Sequence, residues 1–281
     1  MVDWGMHKRH REQVAADEGV YLGLLDENWE PLCDLPSSAV VSTTVKRSDV
    51  SECVVSYRVG TPPHPSIEHV LAERLLDVDA GGELVMATRR WRWLLIQWPE
   101  ERHAYRVIVP KGDNAAGEHP LTVELRAVDC MDYALGGFPC VSVPGSWDGQ
   151  WREFPRDEAT VFKTARRMAP ILLGERADGF TVHGPAVPTI RNLIDRSLQA
   201  CFHTAGINSN PPVVVSTAGG DGGGDVFITP QDGPLLDELK PVVQAAGVRL
   251  GAELWLPGDA PVPGHQLTLP TVVVTVTATE T

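Results

Sequence analysis

The sequence predicts an α+β, mainly β protein: an antiparallel β-barrel domain with a helical insertion, then a second, smaller α+β unit. Three observations predict it. Period-two alternation recurs in the first half, at Val41, Thr43 and Val45, at Cys53, Val55, Tyr57 and Val59, and at Leu121, Val123, Leu125 and Ala127; each set shares one face of an extended chain. Glycine (26) and proline (23) are frequent, which suits many turns between short strands. Helical spacing is confined to a few stretches bounded by such turns. Closing the strands into a barrel is the natural way to hide their edges.

Residues 1–18 are polar and charged and are expected as an N-terminal arm, either a short helix or a docked segment. They carry the basic run His7-Lys8-Arg9-His10-Arg11, which reads as a solvated arm or as a segment docked on an acidic neighbour. Residues 19–150 form the expected barrel domain. It opens with a strand at 20–25, a polar turn at Asp26-Glu27-Asn28 and a strand at 29–32. The turn Arg47-Ser48-Asp49 separates the next two strands. Thr61-Pro62-Pro63-His64-Pro65 interrupts the sheet, and Ile67, Val70, Leu71 and Leu75 follow at helical spacing behind a Ser66 cap. Strands are expected again at 84–88, 91–97, 104–109 and 121–128.

Pro139, Pro144, Gly145, Gly149 and Pro155 mark a domain boundary. Residues 151–207 are expected as a helical connection. Its first helix carries Val161, Phe162, Ala165, Met168 and Ala169 and ends at Pro170. Its second starts at Pro188, carries Ile190, Leu193, Ile194, Leu198, Cys201 and Phe202, and stops near Gly206. Residues 208–281 are expected as the second α+β unit. A strand at 211–216 leads to the glycine-rich loop 219–225 and a further strand at 226–228. A helix from Pro234 follows, with Pro241 predicted to kink or break it. Strands at 248–256 and 272–276 complete the unit.

The formal net charge is -13. Such a surface repels duplex DNA and anionic membranes, which argues against sequence-independent phosphate binding. No stretch approaches the ~20 apolar residues of a membrane span, and the N-terminus shows no apolar signal region. The five cysteines, Cys33, Cys53, Cys130, Cys140 and Cys201, are odd in number and scattered, as in small buried hydrophobes of a reducing cytoplasm. Without a CxxC pair, a zinc site is not expected.

Motifs that carry chemistry are sparse. The loop Gly219-Gly220-Asp221-Gly222-Gly223-Gly224-Asp225 lacks the following helix that a dinucleotide fingerprint requires, and its aspartates lack the repeat of a calcium loop. In Gly145-Ser146-Trp147-Asp148-Gly149 a tryptophan stands where a nucleophile elbow needs serine. The acids beside Cys130 in Asp129-Cys130-Met131-Asp132 suppress a thiolate. Cys201 and His203 diverge by about 200° on a helix. The residues thus assign no catalytic, cofactor or metal site, and no enzyme activity is expected. Trp91 and Trp93 are expected on one strand face, with Arg89, Arg90 and Arg92 interleaved. Such a row fills a barrel wall or a subunit interface, and the arginines can pair with acids of a neighbouring copy.

Several segments resemble the minor tail, baseplate-hub-like proteins of actinobacterial long-tailed phages. They are Leu235-Leu236-Asp237-Glu238-Leu239, Ala245-Ala246-Gly247-Val248-Arg249-Leu250, Glu253-Leu254-Trp255-Leu256-Pro257-Gly258-Asp259 and Leu269-Pro270-Thr271-Val272-Val273-Val274. Leu25-Asp26-Glu27-Asn28-Trp29-Glu30-Pro31 and residues 121–130 continue the likeness. The resemblance implies a ring at the virion's tail tip, trimeric by preference, made in the host bacterial cytoplasm. Its implied partners are copies of itself, the distal tail protein, the tape measure and receptor-binding proteins, with no cofactor. The interface candidates are Trp91, Trp93, Arg89, Arg92 and Trp255. Proteins of this kind usually run on past the Pro-Thr-Val-Val-Val strand. Two alternatives remain open: the distal tail protein of the neighbouring ring, and a cell-envelope carbohydrate-binding module, which needs Trp91, Trp93 or Trp147 exposed together.

Overall fold

The computed structural model of the chain describes residues 2–36, 38–58, 91–113, 122–142, 152–156, 161, 163–168 and 181–279. The helix expected at 67–75 and the strand at 84–88 lie outside the described residues. The chain divides into two compact units. The first comprises residues 1–46, 50–132 and 253–260; the second comprises residues 47–49, 133–252 and 261–281.

The first unit opens with α1 (Trp4–Glu18). Asp3 caps it by accepting a hydrogen bond from the Met6 N–H at 2.9 Å, and Gly19 ends it at φ 85°, a left-handed turn that favours glycine. Seven strands follow: β1 (Tyr21–Leu25), β2 (Pro31–Asp34), β3 (Val40–Thr44), β4 (Glu52–Arg58), β5 (Trp93–Gln97), β6 (Arg102–Asp113) and β7 (Thr122–Asp129). They form one sheet in the order β2-β1-β5-β6-β7-β4-β3, with every neighbouring pair antiparallel. The mainly β expectation holds. The described strands make an open order with β2 and β3 at its edges, and no closed barrel is found among them.

Alternation sorts the sheet into two faces. Leu22, Leu24, Leu94, Ile96, Tyr105, Leu125, Ala127, Cys53 and Val55 form one buried cluster on the first face. On the other face α1 covers β1 and β5. The buried side chains of α1 are Arg11 and Ala15, so the helix docks through polar contacts. This is why its sequence shows no apolar period. Gly23 lies beneath the Tyr21 ring, where a Cβ would collide with the phenol. The missing side chain lets Tyr21 cross its own strand and donate from its hydroxyl to Asp34 Oδ1 at 2.9 Å.

The second unit is assembled from shorter pieces. β8 (Arg152–Phe154) pairs with β9 (Arg166–Met168) in an antiparallel ribbon. The amphipathic helix expected across 161–169 is therefore not formed at 166–168. Val161, from its proposed apolar stripe, is 66% exposed, and at 166–168 strand pairing wins. β10 (Val182–Pro185) leads directly into α2 (Ala186–Thr204), which buries Ile190, Leu193, Ile194, Leu198 and Phe202. β11 (Val213–Val215), β12 (Asp225–Ile228), α3 (Leu235–Ala245), β13 (Val248–Trp255) and β14 (Thr271–Ala278) complete the chain. β10 pairs antiparallel with β12. β11, β14 and β13 form a second sheet in that order, in which β11 and β14 are parallel.

α3 runs through Pro241 without ending there. Pro241 is exposed, while Leu235, Leu236, Leu239 and Val243 anchor the buried side. That packing outweighs the proline's local cost. At the start of α3 the Glu238 carboxylate folds back and accepts from the Gly233 N–H at 2.6 Å and the Gln231 N–H at 3.0 Å. The helix thus has no N-cap side chain but stabilises its entry from within.

Candidate functional site

Of the five interface candidates, Arg89 lies outside the described residues; the other four fall in the first unit but do not share one face. Trp93 is completely buried and packs on Trp29, with ring centroids 5.7 Å apart. The turn before β2 explains this contact. Asp26 Oδ1 accepts from the Asn28 and Glu30 N–H groups, each at 2.8 Å. That turn holds Trp29 at φ 63° and tucks its indole inward. Trp93 is therefore core and not a surface contact. Trp147 lies outside the described residues. The exposed Trp91–Trp93 row needed by the carbohydrate-module reading does not form.

Arg92 is 6% exposed and pairs with Glu27 of the same chain at 3.3 Å. Its guanidinium is thus engaged internally instead of reaching for a neighbouring copy. Trp91 precedes β5 and is 39% exposed. The Arg106 guanidinium lies 4.6 Å from the centre of its ring and also contacts the Asp132 carboxylate. This cation–π stack fixes the indole with one side toward solvent. Further along β6, Ile108 and Val109 are 51% and 47% exposed at the β-bulge. Trp255 is half-buried, and its indole N–H donates to the Ala260 carbonyl at 2.9 Å, closing the turn that carries Asp259.

The basic run of α1 follows the docked alternative. His10 meets Asp34 at 2.6 Å, Lys8 donates to the Gly258 carbonyl at 2.8 Å, and Arg11 donates to Gln97 Oε1 at 2.5 Å. Burial, reinforced by nearby Arg102, lowers the Arg11 guanidinium to about 10. Burial and the neighbouring Arg11 charge lower His7 to about 4, so its imidazole is neutral at pH 7. Burial alone would raise the Asp259 carboxyl, but the hydrogen bonds and charge of Arg102 and the Leu256 N–H outweigh it and hold that group below its ordinary value. Sequence reading missed this bidentate pair, because 157 residues separate its partners.

The thiols do not fit nucleophilic roles. Burial pushes Cys33 up to about 11 and Cys53 up to about 12. Cys130 is raised by burial and then by Asp129 and Glu253, which removes the thiolate any attack would need.

In the second unit the glycine loop is an anchoring device. The Gly224 and Gly222 carbonyls accept from the Ala186 and Val187 N–H groups, at 2.9 and 3.2 Å. The loop thereby satisfies the first donors of α2. Arg191 donates to the Ala218 and Gly220 carbonyls at 2.9 and 3.1 Å. Gly219 sits at φ +112°, where a Cβ would strike the Val276 carbonyl oxygen. As expected, a strand follows the loop, not a helix.

No helix among the described residues is long and apolar enough to cross a membrane. No family model matches the chain. Two UDP-N-acetylglucosamine 1-carboxyvinyltransferases of Rhodopseudomonas palustris, from strains BisB18 and BisA53, are each 24% identical to it over 131 residues. The matched stretch is 46% of this chain and 30% of each enzyme, so the chain spans less than a third of the curated relatives it matches. Among solved structures, the half-lidded Francisella PdpA-VgrG complex is similar at a TM-score of 0.34 and 7% identity, over 93% of this chain and 32% of that chain.

Proposed function

We propose that this chain is a non-enzymatic structural component of a phage tail tip, a hub-type ring subunit that joins the tail tube to the host-recognition apparatus. One observation carries the reading: the first unit leaves apolar side chains open on its strands, with Val40 69% exposed on the edge strand β3, and Ile108 51% and Val109 47% exposed on β6, whose Arg106 holds the Trp91 indole. Apolar side chains left open on a sheet are what proteins that assemble with copies of themselves use. The hub-like segments at 25–31, 235–239 and 253–259 support the same reading. In the ring, the two edge strands of the seven-stranded sheet, β2 and β3, are covered by pairing or packing with neighbouring copies. The net charge of -13 lines a lumen through which DNA passes without adhering.

The test is the native particle. Imaging of the intact tail is expected to place this chain as a symmetric annulus at the tip; a virion whose tip lacks it ends the proposal. Placement in the ring above would make it the distal tail protein instead. Replacing Ile108 and Val109 with aspartate is expected to leave a folded monomer. Purified protein is expected to show no carboxyvinyl transfer to UDP-N-acetylglucosamine, and turnover there would overturn the non-enzymatic assignment.

A further inference from the structure

The exposed side of the β10–β12 ribbon, in the second unit, carries an aromatic pair beside a cavity. His183 and Phe227 are direct cross-strand partners, and their rings stack at 5.5 Å with only 20° between planes. Phe227 is 74% exposed, an unusual position for a large apolar ring. Two rungs further, the Thr181 and Thr229 hydroxyls meet at 2.8 Å.

A shallow cavity of about 420 Å³ opens beside this pair. His183 lines it and Phe227 does not. His183 thus joins the stacked pair to the cavity. The opposite wall is the first turns of α2, where Thr189 and Asn192 lie three residues apart and so share one helix face. Gly184, at φ +142°, brings the strand against this turn; a Cβ there would stand 3.1 Å from the Thr189 hydroxyl.

We infer that this cavity binds an uncharged pyranose sugar, stacked on His183 and hydrogen-bonded by Thr189 and Asn192. The lining chemistry selects that class. Among the described residues, no Lys, Arg, Asp or Glu lines the cavity, and the chain's net charge of -13 repels anionic glycans. A purely apolar ligand would leave the hydroxyl and amide groups without partners. A pyranose has an apolar C–H face for the ring and a rim of hydroxyls for the polar groups. The cavity falls in the size range of small-molecule sites, roughly 300–1,000 Å³. This inference does not rest on the tail-tip reading, since it concerns the chain alone in solution.

The experiment is saturation-transfer NMR on the full chain with chitotriose, maltotriose and cellotriose, and sialyllactose as the anionic control. At least one neutral trisaccharide is expected to receive saturation, strongest at its ring C–H protons, and sialyllactose none. His183→Ala and Asn192→Ala are each expected to weaken binding about tenfold, the scale of one lost polar or stacking contact. Phe227→Ala is expected to weaken it less. His183, Asn192 and Phe227 are exposed, so these variants keep the fold, which circular dichroism checks. The inference is overturned if none of the three neutral sugars receives saturation at millimolar concentration. Sugar binding that survives both His183→Ala and Asn192→Ala overturns it too. So does a result in which the variants change self-association and sugar never binds, since that marks a protein contact.

Discussion

The two units hold their strands together in different ways. In the first, seven strands pair antiparallel, and one apolar cluster runs across β1, β4, β5, β6 and β7. In the second, the sheets have two or three strands, one pairing is parallel, and loops do much of the fastening. Glu238 secures the entry to α3, the glycine loop caps α2, and Arg191 ties that loop down. The first unit is stabilised by continuous burial. The second depends on particular backbone positions.

That contrast can be broken most directly in the first core. Trp93→Ala removes a fully buried indole packed on Trp29 and is expected to cost about 3–5 kcal/mol, read as a lower denaturant midpoint or loss of soluble protein. A small loss would show that the cluster does not act as one body. Next come the paired glycines of the second unit. Gly219→Ala meets both a left-handed φ and the Val276 carbonyl, whereas Gly220→Ala meets only φ +67° and open space. The expected losses are about 2–3 and about 1 kcal/mol, measured by thermal unfolding; equal losses would mean that the loop is not seated on β14.

The third test separates the units by pH. His7 has a folded value of about 4 against an ordinary 6.5, so the unfolded chain takes up the proton first. Its stabilising contribution is complete above pH 6.5 and is lost as the pH falls from 6.5 toward 4. With partial solvent access the loss is about 1–2 kcal/mol. His7→Phe should flatten that limb in urea titrations at pH 5 and pH 8, and an unchanged pH slope would remove His7 as its cause. The one expected gain is at Pro241→Ala, up to about 2 kcal/mol: roughly 3 kcal/mol of proline's cost inside a helix, less the ~0.4–1 kcal/mol that proline contributes by stiffening the unfolded chain, seen as a higher melting temperature.

The sequence made the first unit's strands legible because alternation is local. Val41, Val55, Leu125 and their neighbours reveal their faces within a few residues. The same holds for α2, whose apolar stripe from Ile190 to Phe202 is continuous. Long-range chemistry was not legible. Nothing near Arg102 announces Asp259, and nothing near Asp34 announces His10. The tryptophans misled for a related reason. Trp91 and Trp93 are two apart, but β5 begins only at Trp93, so strand alternation does not extend back to Trp91. The stripe at 161–169 had helical spacing, but residues 166–168 pair as a strand, and spacing alone does not reveal a pairing partner. Phe227 was read as an ordinary strand residue, because alternation gives its face but not whether that face is covered.

The way the chain is shared between its units has a consequence for synthesis. Residues 253–260 belong with the first unit although residues 133–252 of the second precede them, and residues 47–49 belong with the second. Arg102 and Lys8 find Asp259 and Gly258 only in that late segment. On the ribosome, the N-terminal sheet therefore waits for Asp259 to emerge before its Arg102 ion pair can form. A truncation after residue 132 would yield an incomplete body with an unneutralised Arg102, not a portable domain.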